Sequence, residues 1–123
     1  MRALVVDDSR AMRAMVGRMV RELGFEVSEA GDGREALARL AAAGPFALAL
    51  VDWNMPGMDG YELVRAIRAN PAYRGLRLVM VTSQTGTDHV ARALAAGADE
   101  YLMKPFTREA MHEKLALIGF DGR

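Results

Sequence analysis

The segment ALALVD, residues 47–52, is an apolar run that ends in the carboxylate of Asp52. A second run, ALVV at residues 3–6, ends in the acidic pair Asp7 and Asp8. Short runs that are apolar throughout are typical of strands in a parallel sheet whose two faces are both covered. The two segments therefore predict an α/β protein with acidic side chains at the carboxyl ends of its strands.

Two further runs complete this pattern. LVMV at residues 78–81 is followed by Thr82, and YLM at residues 101–103 is followed by Lys104. Parallel neighbouring strands have their carboxyl ends at one edge, where open α/β sheets bind their ligands. Three acids, a hydroxyl and an ammonium at one edge predict a site for a divalent metal ion and a phosphoryl group.

Helical patterns separate the strand-like runs. Ser9 is a good N-cap for a first helix that Gly24 ends, and Thr107 caps the last. With a further strand at residues 25–30 and helices near residues 35–43, 59–69 and 88–96, the chain alternates five strands with five helices. Strict alternation predicts a doubly wound parallel sheet, because right-handed crossovers place helices on both faces.

The charged side chains of the helices have two interpretations. The first helix carries four arginines that form either a basic docking face or an ordinary solvated surface, namely Arg10, Arg13, Arg18 and Arg21. His89 and His112 fall in helical segments, and we interpret both as surface residues away from the strand ends.

Composition narrows the class of protein. The 123 residues are the length of one domain, so we expect a single domain over residues 1–123. The net charge is zero, so no strong electrostatic attraction draws the protein to nucleic acid or to a membrane. No cysteine is present to form disulfides or thiolate metal sites. With no signal-peptide pattern, the sequence predicts a soluble, cytoplasmic protein without a nucleic-acid or membrane partner.

The acidic residues suit a hard cation. Crowded carboxylates repel one another unless a cation intervenes, and Mg²⁺ prefers oxygen ligands. The candidate ligands are Asp8 and Asp52, Asp7 directly or through water, and the backbone carbonyl of Asn54. Asp52 is then the best nucleophile for phosphorus, since a carboxylate can form an aspartyl phosphate. Lys104 and the Thr82 hydroxyl are candidates to bind the phosphoryl oxygens.

These residues resemble a known family. The stretches LVVDDS (residues 4–9), DWNMPGMDG (52–60), MVT (80–82), GA (97–98) and KPF (104–106) are similar to those of response-regulator receiver domains of the single-domain chemotaxis type. The resemblance covers nearly the whole chain. It implies a flavodoxin-like sheet of order 2-1-3-4-5.

The resemblance also implies roles for individual residues. Asp52 is expected to accept phosphate from a sensor histidine kinase, with Mg²⁺, or Mn²⁺ in its place, held by Asp7, Asp8 and the Asn54 carbonyl. Thr82 and Lys104 match the conserved hydroxyl and lysine, and Tyr101 matches the switch aromatic. The bond before Pro105 is expected to be cis, and Asn54 and Gln84 to tune the lifetime of the phosphoryl group.

The expected output is contact with another protein. Phosphorylation should change the surface of the fourth helix, fifth strand and fifth helix, and a flagellar motor switch protein is one expected partner. We expect a monomer before phosphorylation. Two alternatives stay open: a receiver that is part of a larger regulator, and a magnesium-dependent aspartyl phosphohydrolase. Asn54 argues against the second, because such enzymes usually carry an aspartate two residues after the nucleophile.

Overall fold

One parallel sheet organises the protein. The computed structural model describes residues 1–83 and 87–120, with the backbone alone at residue 87. Within these residues lie five strands: β1 (Arg2–Val6), β2 (Glu26–Ala30), β3 (Leu48–Asp52), β4 (Arg77–Thr82) and β5 (Glu100–Met103). All neighbouring strands are parallel, in the order β2-β1-β3-β4-β5. The predicted doubly wound sheet and its strand order are confirmed.

The helices follow the strands in strict alternation. Across the described residues they are α1 (Arg10–Glu22), α2 (Gly33–Ala43), α3 (Gly60–Arg68), α4 (Thr87–Ala96) and α5 (Arg108–Leu117). The Ser9 side chain caps α1 as predicted, and Gly24 follows the helix with a φ of 96°. No helix in this part of the chain has both the length and the apolar character needed to cross a bilayer.

Two local features differ from the sequence prediction. Helix α2 begins two residues before the predicted start, because the Asp32 side chain accepts a hydrogen bond from the Glu35 amide and caps it. A short 3₁₀ helix (Pro71–Tyr73), capped by Asn70, follows α3. Both features depend on short polar side chains in segments where the sequence shows no strong periodicity.

Each face of the sheet carries its own hydrophobic core. Successive strand residues point to opposite faces, so Leu4 and Val6 pack on the side of α2, α3 and α4, whereas Val5 packs on the other side. The second side also holds Met111 and Leu115, both fully buried on α5. The two covered faces leave the strand ends as the part of the sheet where polar side chains can converge.

Arg68, in the last turn of α3, joins three segments of the chain. Its guanidinium donates to the carbonyl oxygens of Tyr73 (2.9 Å), Leu76 (2.7 Å) and Gly97 (2.8 Å), and to the Asp99 carboxylate at 2.8 Å. Gly97 has a φ of 120°, and a Cβ there would overlap the Arg68 side chain. The planar fork of arginine suits this set of acceptors, and it ties α3 to the connection between α4 and β5.

Candidate phosphoacceptor site

The sheet brings three carboxylates together at its carboxyl edge. Strands β1 and β3 pair with Val6 opposite Val51, so the next residues, Asp7 and Asp52, lie side by side. Together with Asp8 they offer oxygen atoms that all lie within 4.8 Å of one another. The side chains of Asp7 and Asp52 are only 5% exposed, whereas Asp8 is exposed to solvent. The cluster therefore has a buried floor and one open side.

Lys104 reaches this cluster from the position directly after β5. Its Nζ lies 2.9 Å from Asp52 Oδ1 and 3.6 Å from Asp7 Oδ2. The amide of Lys104 donates to the Thr82 carbonyl at 2.8 Å, which fixes the base of the lysine beside the end of β4. The Lys104–Pro105 bond is cis, as the sequence resemblance implied, and a second cis bond, Gly44–Pro45, was not predicted.

The electrostatics of the cluster disfavour the charged form of Asp52. Burial raises the pKa of Asp52, and the charges of Asp7 and Asp8 raise it further, against the opposing hydrogen bond and charge of Lys104. Burial alone would lower the pKa of Lys104, but its contacts with Asp52 and Asp7 outweigh this and raise it. A single ammonium thus leaves the three acids incompletely neutralised, and an additional cation would favour the ionised form of Asp52.

The residues present fit a hard divalent cation. Mg²⁺ prefers carboxylate and carbonyl oxygens and retains several waters, and this cluster combines three carboxylates with an open side. Asn54, whose carbonyl is the remaining candidate ligand, lies exposed in the loop two residues after Asp52. Thr82 is buried at the end of β4, on the strand next to β3. Gln84 lies outside the described residues.

The loop that follows Asp52 is fixed at both ends. The Trp53 amide donates to the Val81 carbonyl, and the Gly60 amide donates to the Trp53 carbonyl, both at 2.8 Å. A Cβ at Gly60 would overlap the Asp52 carbonyl oxygen, so only glycine allows the first turn of α3 to lie this close. Asp59 and Glu62 complete a capping box at the start of α3. The backbone of Asp52 is therefore held by α3 as well as by the sheet.

Trp53 belongs to an aromatic cluster beside the site. Its ring stacks on Tyr61 with 5.9 Å between centroids and meets His89 edge-on at 5.3 Å. The Arg92 guanidinium lies over both Trp53 (5.7 Å) and Tyr61 (4.7 Å). The interpretation of His89 as a surface residue away from the strand ends is therefore wrong, because it is half-buried against the residue after Asp52. His112 is exposed, as predicted.

Arg13 contacts the backbone of the acidic cluster, which neither interpretation of the α1 arginines anticipated. Its Nη1 donates to the Asp7 carbonyl at 2.7 Å, and its Nε pairs with Glu29 at 3.2 Å. The side chain is only 17% exposed. The sequence carried one signal for this, since Arg13 lies one helical turn after Ser9 and therefore above the end of β1.

Tyr101 lies apart from the acidic cluster, on β5. It pairs with Met80 of β4, so Thr82, two residues further along β4, is on the same face of the sheet. The Tyr101 ring is half-buried, and the Nζ of Lys114 lies 3.9 Å from its centroid. The structure thus brings together Asp7, Asp8, Asp52 and Lys104, whereas Thr82 and Tyr101 lie on one face of the neighbouring strands β4 and β5.

The fold and this edge of the sheet define the class of protein. Residues 3–116 match the family model of the response regulator receiver domain, and the chain belongs to that family. Members of this family act as signalling switches.

Its relatives include single-domain chemotaxis proteins. The chain is 41% identical to the chemotaxis protein CheY of Pseudomonas aeruginosa, over 96% of this chain and 95% of that one. It is 40% identical to CheY1 of Helicobacter pylori, over 96% of each. The crystallised CheY4 of Vibrio cholerae has a TM-score of 0.87 and 38% identity, over 95% of this chain and 97% of that one. The predicted resemblance to chemotaxis receiver domains is confirmed.

A longer protein also shares the fold. A probable two-component system response regulator/GGDEF domain protein matches with a TM-score of 0.88 and 34% identity, over 95% of this chain but 48% of that one. The same receiver architecture thus occurs both in chains of this length and as a part of a larger regulator.

Proposed function

We propose that Asp52 accepts a phosphoryl group from a phosphohistidine of a sensor histidine kinase in a magnesium-dependent reaction. The observation that carries the proposal is the burial of Asp52 beside Asp7 and Asp8, with Lys104 hydrogen-bonded to it at 2.9 Å. A carboxylate kept from solvent and only partly neutralised is suited to act as a nucleophile once an additional cation compensates the remaining charge.

The transfer exchanges one bond for another at phosphorus. An Asp52 carboxylate oxygen forms the new P–O bond while the P–N bond to the donor histidine breaks, and the imidazole nitrogen leaves with the electron pair of that bond. Catalysis of such a transfer depends mainly on positioning and charge neutralisation. The chain's own groups supply both. The Lys104 ammonium, which lies beside Asp52, can bind one phosphoryl oxygen, and the Thr82 hydroxyl can donate a hydrogen bond to another.

Asp7, Asp8, Asp52 and the Asn54 backbone carbonyl would hold the Mg²⁺, and Mn²⁺ is expected to substitute. When bound, the ion neutralises carboxylate and phosphoryl charge together. Arg13 stabilises this set of ligands, because its guanidinium donates to the Asp7 carbonyl and so fixes the backbone that carries Asp7 and Asp8.

The proposed output is a change in the surface formed by α4, β5 and α5. Phosphorylation adds about −1.5 to −2 charge, which draws Thr82 toward the phosphoryl group and favours a new position of Tyr101. The placement of Thr82 and Tyr101 on one face of neighbouring strands supports this route. We propose a single receiver domain over residues 1–123, cytoplasmic and monomeric before phosphorylation, that binds a protein target. The target expected from the sequence resemblance is a flagellar motor switch protein, and the chemotaxis proteins among the relatives agree with a role in chemotaxis.

Acetyl phosphate with Mg²⁺, followed by electrophoresis that retards phosphoproteins, tests the phosphoacceptor. We expect a retarded band for the wild type and for Asp88→Asn, which removes an exposed carboxylate of α4, and none for Asp52→Asn. Omission of Mg²⁺ should abolish the band. The proposal fails if the wild type gives no band or if Asp52→Asn gives the same band.

A further inference from the structure

Tyr101 is held by a group that the phosphoacceptor chemistry does not use. The ammonium of Lys114, on α5, lies 3.9 Å from the centre of the Tyr101 ring. A cation at this distance from an aromatic face is attracted by the ring quadrupole. The Lys114 side chain is 27% exposed, so solvent weakens this attraction only in part.

Glu100 fixes Lys114 in this place. Its Oε1 lies 3.4 Å from the Lys114 Nζ and also accepts a hydrogen bond from the Tyr101 amide at 3.0 Å. The Glu100 side chain is 17% exposed. One carboxylate therefore binds both the backbone of Tyr101 and the cation that covers its ring, and the three residues form a closed set of contacts between β5 and α5.

This set bears on the switch because of the strand register. Tyr101 faces the same side of the sheet as Thr82, which lies at the carboxyl edge next to the Asp52 strand. A movement of Tyr101 toward Thr82 would take the ring away from the Lys114 ammonium. The contact with Lys114 therefore favours the arrangement seen in this structure over one in which the ring has moved.

We propose that Lys114, held by Glu100, is a positioning residue that stabilises the resting place of Tyr101 and so opposes phosphorylation-driven switching. The inference rests on the proposed function, since it concerns the regulation of that same site. The contact lowers the free energy of the resting state relative to the active state. A ligand at Asp52 must therefore supply more binding energy to shift the population to the active state.

The affinity for beryllofluoride with Mg²⁺, an uncleavable mimic of the phosphoryl group, measures this opposition. Titration is followed by the fluorescence of Trp53, the chain's single tryptophan. We expect Lys114→Met to bind the mimic about two- to five-fold more tightly, the range that one partly exposed cation–π contact can supply. Lys114→Arg keeps a cation over the ring and should restore wild-type affinity. Arg108→Gln makes the same change of charge on α5 at an exposed side chain and should also match the wild type.

The effect must depend on Tyr101. In a Tyr101→Leu background, Lys114→Met should leave the affinity unchanged, because the ring that the cation covers is absent. Equal affinities of wild type and Lys114→Met, or an equal gain in Arg108→Gln, would overturn the inference while leaving the proposed function intact. A wild type that does not bind the mimic would instead defeat the proposed function, and the inference with it.

A second readout needs neither metal nor mimic. With 3-fluorotyrosine incorporated at the three tyrosines, the ¹⁹F signal of Tyr101, identified by its loss in Tyr101→Phe, reports the surroundings of the ring. We expect this signal to move in Lys114→Met and in Glu100→Gln, with the signals of Tyr61 and Tyr73 unchanged. An unmoved Tyr101 signal in a folded Lys114→Met protein would contradict the proposed positioning.

Discussion

Gly60→Ala is the substitution whose cost the structure defines most directly. The added methyl group would overlap the Asp52 carbonyl oxygen and lie 2.8 Å from the Trp53 Cα, and both are backbone atoms at the junction of β3 with the loop that follows the proposed phosphoacceptor. The Gly60 amide is also tied to the Trp53 carbonyl at 2.8 Å. Helix α3 and the end of β3 must therefore separate to admit the methyl group.

The expected loss of stability follows from comparison with a matched glycine. Overpacking of a tight contact costs about 1–3 kcal/mol. Gly75 has no atom within 4 Å of its own added Cβ, so Gly75→Ala should be neutral or stabilise the protein by up to about 1 kcal/mol through the unfolded chain. For 123 residues the unfolding entropy is about 0.26 kcal/mol/K, so a loss of about 2 kcal/mol lowers Tm by about 8 °C.

Thermal and urea unfolding of both variants in metal-free buffer measure this difference. The strain falls on the backbone of Asp52, so phosphorylation of Gly60→Ala by acetyl phosphate should also slow by about tenfold or more at a temperature where the variant is folded. Gly75→Ala should be phosphorylated at the wild-type rate. Melting temperatures of the two variants within 1 °C of each other would refute the close contact between α3 and the Asp52 backbone.

Three further predictions concern the charges of the site. Mg²⁺ at ten times its Kd should raise Tm by about 5 °C in calorimetry, and Asp8→Asn should lose most of this gain at the same Mg²⁺ concentration. Because folding raises the pKa of Asp52, this carboxyl ionises at a lower pH in the unfolded chain than in the folded protein. We therefore compare the free energies of unfolding of the wild type and Asp52→Asn in urea without metal. The free energy of the wild type relative to the variant should fall as pH rises from below the ordinary pKa of 3.8 through the raised pKa, and it should be constant at higher pH. Lys104→Met should raise the pKa of Asp52 further. The pH profile of the phosphorylation rate should therefore shift to higher pH, and the rate on its plateau should fall. An unchanged profile would contradict the contact at 2.9 Å.

The elements that the sequence predicted well are those defined by local patterns. Helix α1 has a capping serine, an apolar stripe and a terminal glycine, and its bounds follow from these. The carboxylates were predictable because a strand delivers its last side chain to a known edge of a parallel sheet. By contrast, Asp32 was missed because a Gly-Asp-Gly segment is equally typical of a turn and of a helix N-cap.

The contacts that sequence did not predict all join different elements. Each of these contacts depends on how a helix is rotated against the sheet. They are the hydrogen bond of Arg13 to the Asp7 carbonyl, the packing of His89 on Trp53 and the contact of Lys114 with the Tyr101 ring. A hydrophobic stripe fixes that rotation only to within part of a turn. Long polar side chains at the border of the stripe can therefore point either to solvent or to a neighbouring element.

The Arg68 junction has a consequence for how this protein can change over evolutionary time. Three of the four acceptors of its guanidinium are main-chain oxygens, which every amino acid supplies. A substitution at position 73 can therefore leave its bond to Arg68 intact, whereas position 76 is constrained by its burial in the core, and positions 68, 97 and 99 by side-chain chemistry or by space. Among the positions that supply the acceptors, sequence drift is therefore easiest at position 73, whose bond to Arg68 does not depend on its side chain.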